Sequence, residues 1–265
     1  MKNYLKVTRD LFWTQMGWTF GFLGIMFVIN LIQIVLSITQ GSEVDGGFYA
    51  SIMIAANIYM LIIGITAIYF LRYYVELGVT RKTYFIGTLL ASIGLSIVIP
   101  IITLLVSLLE RFILTSVFHL SYNIQNINEI SNDVLLDIDD GFGSVVAELV
   151  LSVILSPNLD PSNNWMLAIG VFALNIFIFY LLGWLISVGF YAGGTITGLA
   201  FIILALGMNL LKNAFLRISL DLPVSGHFLA LESLPLGVTL PGLLLLMIIP
   251  IWIIRQLTKN AVINM

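Results

Sequence analysis

Residues 72–85 read Arg72-Tyr73-Tyr74-Val75-Glu76-Leu77-Gly78-Val79-Thr80-Arg81-Lys82-Thr83-Tyr84-Phe85, a short charged stretch wedged between two long apolar runs. It is the most charged place inside the hydrophobic body of the chain. The runs on either side are long enough to cross a bilayer, so here one span ends, the chain meets water, and the next span begins. As the chain's one internal contact with the cytoplasm, the stretch reads as a handle for a partner.

The composition agrees with that division. Of 265 residues, 60% are hydrophobic and 9% charged, with a mean hydropathy of +1.07. Soluble domains carry about a quarter charged residues, so the chain reads as an all-α integral membrane protein. About 20 apolar residues, at about 1.5 Å each, cross a hydrocarbon core of roughly 30 Å. Six runs qualify, at about 19–39, 48–71, 85–109, 165–190, 192–211 and 238–254. Residues 1–265 are thus expected to form a single transmembrane domain, leaving no room for a soluble catalytic domain of about 100 residues. The absence of cysteine excludes disulfides and thiolate metal sites.

Outward from the central stretch, residues 1–18 carry Tyr4, Leu5, Leu11, Phe12 and Met16 on one helical face and Lys2, Lys6, Arg9 and Asp10 mostly on the other. This fits an interfacial amphipathic helix, and equally an ordinary basic flank with Trp13 and Trp18 as belt aromatics. No small-x-small cleavage site follows, so the first span is expected to stay uncleaved. In the third span Gly87, Ala91 and Gly94 permit close helix contact and Pro100 predicts a kink. Residues 119–164 form an acidic, Asn- and Ser-rich outer loop, within which Ser144, Glu148, Ser152 and Ser156 recur every four residues and predict a surface-lying helix at 144–156. The turn at 191–195 has no charge, and Gly189, Gly193, Gly194 and Gly198 around it suit either a helix dimer or a tight turn. Residues 212–238, too apolar for a free loop and too broken for a span, predict a re-entrant hairpin before the last span.

Charge sets the orientation. With six spans both termini share one side, where Lys2, Lys6, Arg9, Arg72, Arg81, Lys82, Arg255 and Lys259 lie, against Arg111, Lys212 and Arg217 opposite. The positive-inside rule places both termini and residues 72–85 in the cytoplasm of a plasma membrane.

Catalytic and cofactor chemistry find little support. The two histidines, His119 and His227, belong to no metal-binding pattern, and no phosphate-cradling glycine loop occurs. No catalytic, cofactor-binding or metal-ligating residue is assigned, and no nucleic-acid partner is implied. Charged side chains inside spans, the mark of ion-coupled pumps, are not expected from the span boundaries. Among the amides inside spans, Asn30, Gln33, Asn57 and Asn175 could line a substrate path but such residues more commonly bond helix to helix.

The sequence Glu76-Leu-Gly78-Val-Thr80-Arg81-Lys82-Thr-Tyr-Phe85 resembles the cytoplasmic coupling segment of ABC-2-type exporter permeases. The layout is similar too: amphipathic N-terminal helix, six spans, broken hairpin before the last span, basic tail. The resemblance implies a coupling helix between spans 2 and 3, with Glu76, Gly78, Thr80, Arg81 and Lys82 touching a separate ATPase subunit that holds ATP and Mg. It also implies a second permease copy or paralogue, a bacterial cell membrane, and an exported cargo such as an amphipathic or antimicrobial peptide. The long acidic outer loop departs from the family and leaves the cargo open. A membrane sensor or scaffold using that loop to bind a ligand is the alternative, with an intramembrane hydrolase ranked last.

Overall fold

The computed structural model describes residues 3–40, 44–45, 47–116, 122–123, 156–157, 159, 161–222, 224 and 234–260. The described residues form five helices long and apolar enough to cross a membrane. These are α1 (Asn3–Gln40), α2 (Gly47–Glu76), α3 (Arg81–Ser116), α4 (Pro161–Ser219) and α5 (Leu236–Asn260). A two-residue parallel pair, Val44–Asp45 (β1) with Tyr122–Asn123 (β2), joins the segments that come after α1 and α3. The expected surface helix at 144–156, apart from residue 156, and residues 223 and 225–233 of the expected re-entrant region lie outside the described residues.

α1 differs from expectation in being one helix. No break separates an interfacial segment from a span, because Val7, Leu11, Gln15 and Thr19 continue one buried stripe across the expected boundary. At about 1.5 Å per residue, its 38 residues reach about 57 Å. α3 likewise runs through Pro100 as a single helix.

α4 has 59 residues, about 88 Å if straight, yet it is not straight. Asn164 is extended (φ −152°) and its side chain accepts a hydrogen bond from the Leu167 amide at 3.1 Å, so it caps the helical run that begins at Trp165. Gly194, at φ 74° and ψ −163°, occupies backbone space that essentially only glycine enters, and it divides the helix into two arms, 165–193 and 195–219. The arms fold back on one another. A Cβ at Gly189 would stand 2.5 Å from the Phe201 ring and one at Gly198 2.3 Å from the Phe190 ring, contacts impossible along a straight helix. Farther out, Lys212 reaches Asn175 at 3.0 Å, residues 18 and 19 positions either side of Gly194. The arms are therefore antiparallel over about 28 Å. The second arm continues helical to Ser219, past the expected end at 211.

The closest helix approach joins α2 to the first arm of α4. A Cβ on Gly64 would lie 2.1 Å from the Tyr180 carbonyl oxygen, and one on Gly183 would lie 2.0 Å from that of Leu61. Each glycine thus receives the other helix's backbone. Ile63, Ala67, Tyr180 and Trp184 are buried around this crossing. On the other side of the bundle α3 packs on α1, with Gly87 against the Val7 side chain, Gly94 against the Phe12 ring and Ala91 fully buried.

A methyl group at Gly64 has nowhere to go, since the atom it meets is backbone. Gly64→Ala is expected to lower stability by about 1–3 kcal/mol. Gly21→Ala, with nothing within 4 Å, should stay within about 0.5 kcal/mol. Thermal unfolding in detergent checks both; equal melting temperatures would reject the crossing as a constraint.

Candidate functional site

The stretch at 72–85 becomes a turn of four residues between α2 and α3. Here the structure corrects the expectation of a separate coupling helix, because α2 runs to Glu76 and α3 starts at Arg81. The reason is local. Gly78 has φ 77°, which a residue with a Cβ adopts at a cost of about 1–2 kcal/mol. This left-handed residue lets the Val79 amide donate to the Tyr74 carbonyl and the Gly78 amide to that of Val75, both at 2.9 Å, which satisfies the open end of α2. Two residues later Thr80 accepts from the Thr83 amide at 3.2 Å and caps α3. One helix is closed and the next opened within four residues.

The turn is exposed yet anchored. Leu77 is 62% exposed at its tip, and Arg72 pairs with Glu76 at 2.9 Å on the solvent side. Gly78, Thr80 and Lys82 are exposed as well. Tyr74 donates to the Asp10 carboxylate of α1 and Tyr84 to the Ala67 carbonyl of α2. Arg81 donates to the Lys259 carbonyl at the end of α5 at 2.7 Å, and Arg255 of α5 lies 5.4 Å from the Phe85 ring centroid. Four helices therefore meet at this turn, and four of the five sequence-predicted contact residues (Glu76, Gly78, Thr80 and Lys82) stand open on it. Arg81 is half-buried by its contact with α5.

The four amides do not form one lining. Asn30 is buried and donates to Glu110 at 3.0 Å, whose other carboxylate oxygen accepts from the Phe48 amide at 3.0 Å. Gln33 is exposed on α1, and Asn57 is buried on α2. Asn175 is buried between Lys212 and the Pro157 carbonyl, at 3.0 and 3.1 Å. Asn30 and Asn175 thus serve two different polar centres, each built on a charged residue.

Those charged residues are what sequence reasoning missed. Hydropathy puts Glu110 and Lys212 beyond the span ends, whereas both are buried inside helices. The carboxylate of Glu110 stands at the N-terminus of α2, where the free amides and the helix dipole favour a negative charge. Lys212 also donates to Ser156 Oγ at 3.0 Å. Asn209, Asn213 and Arg217 are buried on the same arm. The spacing 209, 212, 213 was a legible signal of a polar face, masked by the apolar residues between. Among the described residues, no group of three or more His, Asp or Glu is placed to hold a metal ion.

No protein-family model, no curated protein and no solved structure matches the chain.

The rigidity of the turn makes a local prediction. Gly78→Ala should speed hydrogen exchange at the Val79 amide, and Thr80→Ala should speed it at Thr83, each loss being worth about 1 kcal/mol. Unchanged protection at both amides would show that the turn is held by something else.

Proposed function

We propose that the chain is the membrane-spanning permease subunit of an ATP-driven exporter of the ABC-2 type, working in a bacterial plasma membrane with a separate ATPase subunit on its cytoplasmic side. The observation that carries this reading is the exposed, doubly capped turn at Glu76–Lys82, bonded to α1, α2 and α5. A partner gripping Leu77 and the charged side chains around it holds a lever on four helices. An ATPase that closes and opens with nucleotide would move that lever without entering the membrane, and ATP with its Mg would stay in the partner.

The α4 hairpin supports six crossings rather than five. Its arms are antiparallel over about 28 Å, nearly the thickness of a hydrocarbon core of roughly 30 Å. Counting both arms, the N-terminal and C-terminal helices start and finish on the side of the basic residues, which the positive-inside rule puts in the cytoplasm. The turn at 77–80 then faces the cytoplasm, and the acidic composition of the sequence between α3 and α4 suits a cationic, amphipathic cargo. A second permease copy or a paralogue completes the path across the membrane.

Purification of the chain from its native membrane in mild detergent, with an ATPase assay of the proteins that accompany it, is the test. A stoichiometric ATPase is expected, with activity lowered several-fold by Glu76→Ala or Arg81→Ala while the melting temperature of the spans holds, since rim contacts of this kind are individually modest. A preparation without any ATPase would overturn the exporter reading in favour of a sensor or scaffold. A bound ATPase indifferent to both substitutions would remove the turn as its contact.

A further inference from the structure

The open end of the α4 hairpin is closed by a single polar knot. Lys212 on the second arm is fully buried and donates to Asn175 Oδ1 on the first arm and to Ser156 Oγ, each at 3.0 Å. Its ammonium also lies 4.6 Å from the Phe179 ring centroid. Asn175 Nδ2 in turn donates to the Pro157 carbonyl at 3.1 Å. Both arms and the last residues of the acidic stretch therefore meet at one side chain. The neutral partners matter, because an ammonium that is buried without a counter-charge keeps most of its pull toward water. Hydrogen bonding closes the knot and hydration opposes it.

The knot borders the main core through Phe179, and beyond it the packing becomes a cluster apart from that core. Val171, Leu216 and Leu243 form a small buried cluster of their own, with Leu159, Phe215 and Leu220 beside it. The first arm is fixed to α2 backbone to backbone at Gly64 and Gly183, whereas the second arm meets α5 through a side chain, the Phe215 ring against Gly242. Among the contacts that hold this end are the satellite cluster, the polar knot and the Ser219–Thr239 hydrogen bond to α5 at 3.2 Å, a set small enough to open as a unit.

We propose that Lys212, Asn175 and Ser156 form a latch that lets the open end of the hairpin, together with the end of the acidic stretch, separate locally while the rest of the bundle stays packed. Opening brings the buried face of Asn209, Lys212, Asn213 and Arg217 into contact with water. The inference rests on the geometry of the hairpin and stands whether or not the chain is an exporter subunit.

The cysteine-free chain makes the test direct. In Val171→Cys the single thiol sits in the satellite cluster, and in Ala91→Cys it sits between α1 and α3. Maleimide labelling in detergent, where both faces are open to reagent, reads the exposure of each. Lys212→Ala and Asn175→Ala should each speed labelling at position 171 by about tenfold, as expected when one partner of a buried hydrogen bond is lost. Labelling at position 91 should not change. No acceleration at 171 in either variant overturns the latch. Equal acceleration at both reporters also overturns it, since Lys212 would then support the fold as a whole.

Discussion

Two carbonyl oxygens fix how these helices can sit. Leu61 and Tyr180 present theirs where side chains on Gly183 and Gly64 would otherwise be, so α2 and the first arm of α4 meet backbone to backbone. Lipid tails are as apolar as leucine, and helices in a membrane gain little by hiding apolar surface from one another. They gain by close packing, and two reciprocal glycines give the closest packing available. Trp184, Tyr180 and Phe179 are fully buried beside this crossing. The crossing sets the direction of α2 toward the turn at Gly78 and the position of the α4 hairpin.

A second constraint bears on the buried charges, which are costly inside a membrane protein unless polar groups are arranged around them. Glu110 and Lys212 meet it with neutral partners. Glu110 takes the Asn30 amide and the free Phe48 amide at the start of α2, a helix terminus standing in for a cation. Lys212 takes a hydroxyl, an amide oxygen and an aromatic face. A direct ion pair would be harder to part, because separating it leaves a charge uncompensated. Neutral partners hold a charge in place and still let it go.

Much of the architecture was legible in the sequence wherever its cause is local. Hydropathy located the apolar helices, and Gly78 with Thr80 marked the turn because their backbone and capping roles involve only near neighbours. Gly87, Ala91 and Gly94 announced a close contact through their spacing, and α1 fills it with Val7 and Phe12. Gly64 and Gly183 gave no such sign, since neither has another glycine three or four residues away and only the fold brings them together. A cation ends a hydropathy run, so Lys212 reads as the end of a span; the helix continues because Ser156 and Asn175 arrive from elsewhere in the chain to receive it. The supposed coupling helix failed for a local reason as well: a left-handed glycine and a capping threonine two residues apart leave no room for another helical turn.

The two ends of the bundle are built differently, and that difference determines where motion can go. At the Gly78 turn, Tyr74 holds α1 through Asp10, Tyr84 ties α3 back to α2 through the Ala67 carbonyl, and Arg81 holds α5 through the Lys259 carbonyl. A displacement there is shared among four helices and cannot be absorbed by any one of them. At the far end the contacts of the second arm of α4 include Lys212, the Ser219–Thr239 hydrogen bond to α5 and a cluster of three buried apolar side chains. Local opening is therefore expected at the second arm before the Gly78 turn, because local stability is lowest where a segment is held by the fewest contacts. The glycine crossing between Gly64 and Gly183 lies between these two ends, and because the atoms facing each glycine are backbone, α2 and the first arm of α4 cannot come closer there.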